Sequence, residues 1–455
     1  SEETRSPTNH IRVRQLLSAG PTRARKGPTH TPDSGSAGRT DRLAFTLSIH
    51  LSLVSLPCVA MLVFLPGLFS QSFGWGAVDG IIQAYHFLPD VSFSAGDASG
   101  RLHTFEKGKL NMQTPNILAS SSKFPAAMAI VGAVGDPDVP LTFSTRARDV
   151  FSWWATDPLD MRSDVTLHHL LTFTSGLVSA DFGACGMRCL NTSNTSHASL
   201  VPSESCAWEI FADGPWAAAP GTVWSYHSLH LQLAGAMAAK AAGLSLPDLL
   251  HKYLLDRLGM RSSFWSGNQG GSRDPNPHLA ATLVSTGDDY DKLLQAVLTY
   301  SIAGKEVMDL VEMDAYRTYP HLAPANNSKD LGLEFYGHYS MCTYFECVNQ
   351  PWSGKCEKAG VHADPGYFGY WPLVNRAKGY YMQLVVARKV TLPASVITKY
   401  NVSEAMIGAL SAQCVSPLRF NLTDPVEMAL GLPDLSPAQN YSLPFPINVL
   451  CKLAE

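Results

Sequence analysis

A short serine-rich segment at residues 119–123, ASSSK, carries the residue types of a nucleophile and its base. Ser120 and Lys123 are three positions apart, so on a helix they lie on the same face, one turn apart. A helix that begins near Ser120 directs backbone N–H groups toward its hydroxyl, and the positive helix end disfavours a charged lysine nearby. A partly buried Lys123 could then accept the serine proton. Alone the pattern is weak, because Ser-x-x-Lys arises often by chance and a run of serines is usually a helix cap.

Further segments along the chain give this pattern more weight. They are VTLHHLLTFTSGL at 165–177, PGTVWSYHSLHLQLAG at 220–235, LLDRLGM at 254–260, ATLVSTGDDYDKLL at 281–294 and KAGVHADPGYFG at 358–369. Together with ASSSK, and in this order, they resemble the signature blocks of the serine β-lactamase-related hydrolases. That family includes class C β-lactamases, DD-peptidases and the carboxylesterases and transacylases related to them. The resemblance covers residues 77–412, which we assign to one hydrolase domain.

The resemblance implies catalytic roles for three residues. Ser120 would be the acylated nucleophile and Lys123 its general base within Ser-x-x-Lys. Tyr226 matches the family's tyrosine position, where a phenol can relay a proton between the nucleophile, the lysine and the leaving group. Ser228 stands where asparagine is commoner; it keeps one donor, loses the amide and would contact the substrate.

The third motif of the family, Lys or His followed by Thr or Ser and then Gly, has two candidates here. KAG at 358–360 keeps the lysine and the glycine, and HAD at 362–364 lacks the glycine. We prefer Lys358 over His362, although the gap from Lys358 to PGYFG is about two residues longer than the family pattern implies. Either choice places alanine where the family has a hydroxyl that helps to bind a carboxylate.

This preference places Lys358, Gly360 and Val361 on the strand that lines the cleft. By position, the oxyanion hole would then be formed by the backbone N–H groups of Ser120 and Val361. We therefore expect Lys358, Gly360 and Val361 to contribute to substrate binding.

Hydrophobic patterning away from the motifs predicts an α+β fold. Residues 91–108 alternate and turn at 97–100, which favours a hairpin, and the aromatic and β-branched segments 331–347 and 366–388 favour strands. The chain between them is mostly helical, so a sheet would form from distant segments and leave a ligand cleft beside the helices. The resemblance implies a five-stranded antiparallel sheet flanked by helices, with an inserted all-helical subdomain at roughly 135–310, as in β-lactamases and transpeptidases.

The two ends of the chain are assigned to separate segments. Residues 1–42 form a basic arm, rich in Ser, Thr, Pro, Gly and Arg, that we expect to be disordered. Residues 43–70 are apolar, lack charged side chains and follow a basic flank, as in a cleaved signal peptide or a type II signal anchor; a buried core helix is the alternative. The tail at 413–455 contains several prolines and is expected to be extended over the surface.

The overall charge excludes some classes of function. The net charge of −4 divides into +4 on the arm and −8 on the rest of the chain. A balance this close to zero excludes a polybasic nucleic-acid binder, so we expect no nucleic-acid partner. An apolar content of 45% excludes a wholly disordered chain.

Cysteines and glycosylation signals favour an oxidising compartment. Apart from Cys58 in the apolar segment, the cysteines number eight, an even count typical of disulfides. We expect local disulfides within 185–206 and 342–356 and a bond between Cys414 and Cys451. Asn-x-Ser/Thr sequons occur at Asn191, Asn194, Asn326, Asn401, Asn421 and Asn440. We therefore expect a secreted or lumenal glycoprotein, with anchoring to the membrane through 43–70 as the alternative to cleavage.

The function we expect is a serine hydrolase that works through an acyl-enzyme on an ester or small amide. A peptidase, a β-lactamase or an acyl transferase is the enzymatic alternative, and a catalytically inactive binding protein with the same fold is the other. The substrate would be a small molecule or a peptide. No Cys-x-x-Cys or spaced His pair accompanies the cysteines, so we expect neither a metal nor another cofactor.

Overall fold

Two chain segments that are far apart in sequence form one antiparallel sheet. The computed structural model describes residues 74–179, 186–190, 201–266, 274–324, 338–346, 354–400, 402, 404–432 and 447–453, all within one compact unit that spans Leu65–Glu455. The strands are β1 Val91–Asp97, β2 Gly100–Lys107, β3 Asn116–Ile117, β4 Val223–Trp224, β5 Phe264–Trp265, β6 Leu283–Ser285, β7 Ala323–Pro324, β8 Tyr344–Phe345, β9 Val361–Ala363, β10 Trp371–Asn375 and β11 Tyr380–Val385. The main sheet has six strands in the order β2-β1-β11-β10-β9-β8.

The order of the main sheet explains how the two ends of the domain meet. The predicted hairpin is confirmed by the antiparallel pairing of β1 with β2, and β1 also pairs with β11, with Ser92 opposite Val385. The expected number of five strands is wrong by one, because the two-residue strand β8 extends the edge at β9. The predicted α+β class is confirmed, with helices against an antiparallel sheet.

Most helices lie in the chain between β2 and β8. The α-helices are α1 Gly76–Ala84, α2 Lys123–Val134, α3 Ala147–Val150, α4 Leu167–Leu171, α5 Ser203–Asp213, α6 Leu229–Ala242, α7 Leu246–Leu250, α8 Asp256–Leu258, α9 Gly287–Leu298, α10 Lys305–Val311, α11 Ala315–Thr318, α12 Gly354–Ala359, α13 Ala394–Tyr400, α14 Glu404–Asn421, α15 Thr423–Ala429 and α16 Ile447–Leu453. Short 3₁₀ segments occur at Ala119–Ser122, Met161–Asp164 and Arg188–Leu190, and a π-helical turn at His251–Leu255.

Helices α2 and α6 form the centre of the helical layer. Both are buried along almost their whole length, as expected of helices that are apolar on every side. Their small side chains permit close approach: a Cβ on Gly132 would lie 3.0 Å from Tyr253 Cβ. The helix that carries Lys123 is therefore held rigidly inside the protein.

The predicted extended tail is wrong over the described part of 413–455. Residues 404–421 form helix α14, although Pro417 lies inside it and cannot donate to the carbonyl of Gln413. The Ser416 hydroxyl donates to that carbonyl instead, over 2.7 Å, so the helix continues. Leu418 and Leu422 then lie four residues apart on one face and are buried against the sheet.

Two disulfide bonds form at positions that the cysteine spacing predicts. Cys189 is bonded to Cys206 and Cys414 to Cys451, and Cys356 is also disulfide-bonded. The expectation that every cysteine after residue 58 is paired is wrong for Cys342, which is a buried free thiol. Its Sγ lies against the carbonyl oxygen of Leu171, 3.4 Å away, and so faces the core.

The targeting and glycosylation predictions fall largely outside the described residues. Both 1–42 and 43–70 lie outside them, as do all sequon asparagines except Asn421, which is exposed at the end of α14. Among the described helices, none combines the length and the apolar character needed to cross a bilayer.

Candidate active site

Ser120 lies in a strained turn at the start of the central helix. The 3₁₀ segment Ala119–Ser122 runs directly into α2. Ala119 has φ 49°, in the left-handed region, where a residue with a Cβ costs about 1–2 kcal/mol. Gly366 packs on this turn so closely that a Cβ there would lie 2.3 Å from the Leu118 carbonyl oxygen. The backbone conformation and the packing together fix Ser120, whose side chain stays partly accessible.

The structure brings Ser120, Lys123 and Tyr226 together. Lys123 Nζ donates to Ser120 Oγ over 3.0 Å and to the carbonyl oxygen of Ala280, also over 3.0 Å. The same nitrogen lies 4.6 Å from the centre of the Tyr226 ring. Only 2% of Lys123 is exposed, so little water screens these contacts. This arrangement suits an amine that exchanges a proton with a serine hydroxyl.

An aromatic wall surrounds the tyrosine. Tyr226 is buried and its ring centre lies 5.7 Å from that of Phe173, 5.9 Å from that of Tyr344 and 6.4 Å from that of Tyr339. Burial raises the pKa of Tyr339 well above its ordinary value, so that phenol remains neutral. The wall limits water on this side of the site and strengthens electrostatic contacts there.

His278 adds a neutral ring next to the lysine. Burial, and then the charge of Lys123, lower the pKa of His278 to about 4. Its Nε2 atom is buried and has no hydrogen-bond partner among the described residues. At neutral pH the imidazole therefore adds no second positive charge beside Lys123.

The residues chosen for the third motif are not on the strand where we expected them. Lys358 is exposed on helix α12, because the chain is helical through Ala359 and strand β9 begins only at Val361. Gly360 joins the two with φ 54°, and its carbonyl accepts from Arg376 N over 2.8 Å. The predicted strand position of Lys358 and Gly360 is thus wrong.

Val361 is at the far end of β9 from the serine turn. Its side chain packs with that of Ala363 on the face of the sheet that carries α1 and α14. The contact with the serine turn comes from Asp364, whose carbonyl accepts from Ser121 Oγ over 2.5 Å. Three residues of extended chain span about 10 Å, so the N–H of Val361 is remote from that contact.

His362, the alternative residue for the third motif, lies in the middle of strand β9. Side chains alternate across a strand, so His362 and Asp364 face the opposite side from Val361, toward the helical layer. Thr343 Oγ1 lies 3.3 Å from His362 Nδ1, and the Phe345 ring lies 4.5 Å from the imidazole centre to centre. Burial lowers the pKa of His362, which favours its neutral form.

Ser228 lies beside Tyr226 in sequence, at the residue that precedes α6. It is 2% exposed, and its carbonyl oxygen accepts from Gln232 N over 3.2 Å. The backbone at this turn holds Tyr226 and Ser228 against the helical core.

The sequence reasoning missed Asp364. Its side chain is fully buried, and Oδ2 accepts from Phe124 N over 3.0 Å. The one sequence signal for it was its place as the last residue of HAD at 362–364, the alternative third motif, where the family has glycine. His278 has no comparable signal, since a histidine next to a loop carries little information alone.

The comparisons with known proteins agree with this fold. A sequence profile of the β-lactamase family matches residues 95–407. A proposed β-lactamase from Bacteroides dorei is similar in structure, with a TM-score of 0.55 and 22% identity over 69% of this chain and 90% of that one. A penicillin-binding protein homologue from Pyrococcus abyssi, described as octameric, has a TM-score of 0.50 and 17% identity over 76% and 81%. A hydrolase described as having promiscuous acyltransferase activity has a TM-score of 0.53 and 14% identity over 75% and 98%.

No curated protein sequence matches the chain. At these identities the solved structures establish the fold, and the profile, which spans well over half of the chain, establishes the family. With Ser120 and Lys123 in contact at the start of a central helix, the chain belongs to the β-lactamase family, a family of serine hydrolases.

Proposed function

We propose that the protein forms an acyl-enzyme on Ser120 and hydrolyses an ester or a small amide. The observation that carries this proposal is the 3.0 Å contact between Lys123 Nζ and Ser120 Oγ, next to the Tyr226 ring. Ser120 attacks the substrate carbonyl while Lys123 accepts its proton, and Tyr226 relays that proton from Lys123 to the leaving group as the bond to the leaving group breaks. Water then releases the acyl group and regenerates Ser120.

The end of strand β9 favours an ester over a peptide or a β-lactam. Ala363 lies where the family has a hydroxyl that binds a carboxylate, so this chain has lost that contact. The residue after the motif is Pro365, which has no N–H to donate to an oxyanion. Loss of one such donor reduces turnover by about 10²–10³-fold. An ester with a good leaving group tolerates this loss better than an amide does.

The disulfides support an oxidising compartment for this activity. Such bonds persist in secreted and lumenal proteins and are rare in the cytosol. Cys189–Cys206 and Cys414–Cys451 therefore favour the secreted or lumenal location that the sequence predicts. Anchoring through 43–70 belongs to the same proposal.

Covalent labelling tests the proposal without knowledge of the substrate. The purified protein is treated with a fluorophosphonate probe, and the modified peptide is identified by mass spectrometry. We expect one adduct on Ser120, its loss in Ser120→Ala and a rate at least 10²-fold lower in Lys123→Met. Ser122→Ala is the matched control, because the Ser122 hydroxyl accepts from Leu283 N. Folded protein that no probe modifies would contradict the proposal.

Substrate class is tested with p-nitrophenyl esters, nitrocefin and a D-Ala-D-Ala peptide. We expect hydrolysis of the esters and at least 10²-fold lower kcat/KM for the other two. Pro365→Ala restores an N–H and should raise kcat/KM for the ester by about 10–10²-fold if that position faces the oxyanion. Turnover of the peptide above that of the esters would assign the protein to the peptidases instead.

Pro365 also favours a second candidate, a catalytically inactive binding protein. A site with one oxyanion donor fewer could bind an acyl compound without turning it over. In that case wild-type protein would remain unlabelled, and Pro365→Ala, which restores the N–H, should restore labelling of Ser120.

A further inference from the structure

A buried carboxyl group lies directly beneath the serine turn. Asp364 follows strand β9 and is 0% exposed. Its Oδ2 accepts from the backbone N–H of Phe124, in the first turn of α2, where helix N–H groups have no acceptor within the helix. Its own carbonyl oxygen accepts from Ser121 Oγ. Asp364 therefore binds the same turn that carries Ser120 and Lys123, from the side of the sheet.

The second oxygen of this carboxyl group is unusual. Oδ1 of Asp364 is buried without a hydrogen-bond partner in the described part of the chain. A buried charge without partners is costly, so such a group either takes up a proton or relies on a nearby cation. The cation in reach is Lys123, whose charge acts on Asp364 and opposes the effect of burial.

Three further titratable groups face Asp364. They are Tyr290 from α9 and Tyr339 and Cys342 from the segment before β8. Burial raises the pKa of each of these well above its ordinary value, so none carries charge near neutral pH. Burial raises the pKa of Asp364 to about 8, with Lys123 working in the opposite direction. Among these neighbours, Asp364 and Lys123 are left to share the charge.

We propose that Asp364 is a positioning residue of the acylation site, which fixes the first turn of the helix that carries Lys123 and controls at which pH Lys123 becomes a base for Ser120. This inference rests on the proposed acylation of Ser120.

The control follows from the way the two groups share protons. At low pH the pair carries two protons, as an ammonium and a carboxylic acid. Once one proton has left to solvent, the pair is either an ammonium with a carboxylate or an amine with a carboxylic acid, and only the second form has a base for Ser120. A carboxylate favours a nearby ammonium, so Asp364 delays the appearance of the amine as pH rises.

The test is the pH dependence of fluorophosphonate labelling at Ser120 in the full chain, in wild type and Asp364→Asn. Asparagine keeps an oxygen that accepts from Phe124 N and removes the charge. We expect the pH of half-maximal labelling rate to move to lower pH by about one unit or more, so that the variant is labelled faster below neutral pH. Asp364→Gly, which also removes the charge, should move the midpoint in the same direction.

Asp291→Asn is the matched control. Asp291, on helix α9, is another buried aspartate whose pKa is raised by burial. It accepts hydrogen bonds from Ser94 on β1 and Gln383 on β11, away from Lys123. Its pH profile should equal that of wild type. Far-UV circular dichroism and thermal unfolding establish that each variant is folded.

The outcomes separate this inference from the proposed function. Labelling of wild type with an unchanged midpoint in folded Asp364→Asn, or the same shift in Asp291→Asn, would overturn the role of Asp364 and leave the hydrolase proposal intact. Absence of labelling in every folded variant would overturn the proposed function and the inference built on it.

Discussion

At the scale of single residues, Asp364 links the activity of the site to the stability of the protein. The pKa of its carboxyl group is about 8 in the folded protein, raised by burial, and near 4 in an unfolded chain. Between these values the folded state binds the proton and the unfolded state does not. Binding of this proton therefore stabilises the folded state fully below about pH 4, and this stabilisation is lost as pH rises toward 8.

Asp364→Asn removes this titration and so should change the pH dependence of stability. We expect its free energy of unfolding, relative to wild type, to increase by about 4 kcal/mol between pH 5 and pH 9. Urea unfolding at a series of pH values measures this difference. Asp309→Asn, at an exposed ion pair with Lys305, provides the control and should give a difference that does not vary over the same range. A difference for Asp364→Asn that falls with pH would contradict the assignment.

Spacing and the resemblance to a known family pointed to Ser120, Lys123 and Tyr226, which the structure brings together. They did not identify Asp364, because its effect depends on burial and on Phe124, which lies 240 positions away in the chain. A carboxyl group beside a lysine becomes visible only when the sheet has brought them together.

At the scale of elements, the turn before α2 stores strain next to the nucleophile. Ala119 has φ 49°, and glycine has no Cβ to clash in that region. Ala119→Gly should therefore raise the free energy of unfolding by up to about 1 kcal/mol, the strain relieved less the added freedom of the unfolded chain.

Gly243 supplies the matched control for this turn. It has φ 64°, ends helix α6, and a Cβ there would meet no atom within 4 Å. Gly243→Ala therefore isolates the backbone effect and should lower the free energy of unfolding by about 1 kcal/mol. Chemical denaturation of both variants gives the two values. A loss of stability in Ala119→Gly would show that the turn is not strained.

Elements with strong local signals were predicted well. The hairpin β1–β2 follows from alternation along 91–108 and from the turn at 97–100. The start of strand β9 was predicted too early in the chain, because KAG at 358–360 matches the residue types of the third motif. The chain is helical through Ala359 instead. Strand β8 lies within the segment 331–347 predicted to form strands, whereas the helix across Pro417 depends on contacts that no local pattern encodes.

At the scale of the whole molecule, a buried ion pair joins the C-terminal helices to the sheet. Arg419 on α14 donates to Glu346, next to β8, and the side chains are 3% and 2% exposed. The other carboxylate oxygen of Glu346 accepts from Trp371 Nε1 over 2.7 Å. The segment assigned to a surface tail is thus part of the core.

Arg419→Met should leave the Glu346 carboxylate buried without its cation and reduce the free energy of unfolding by about 3–5 kcal/mol. Adding Glu346→Gln to Arg419→Met should recover part of that loss, because it removes the unpaired charge. Lys305→Met, at an exposed pair with Asp309, should change stability by less than about 0.5 kcal/mol. Urea unfolding of these variants forms the comparison. Equal losses for the buried and the exposed pair would refute a core role for α14.

The pairing of β1 with β11 has a consequence for how the chain matures. Ser92 lies opposite Val385, so the inner edge of the early hairpin has no partner until almost 300 further residues have been made. At about 5–20 residues per second, synthesis leaves that edge open for roughly 15–60 s. An unpaired strand edge attracts other chains, so β1 is open to pairing with them while the helical segments are being translated.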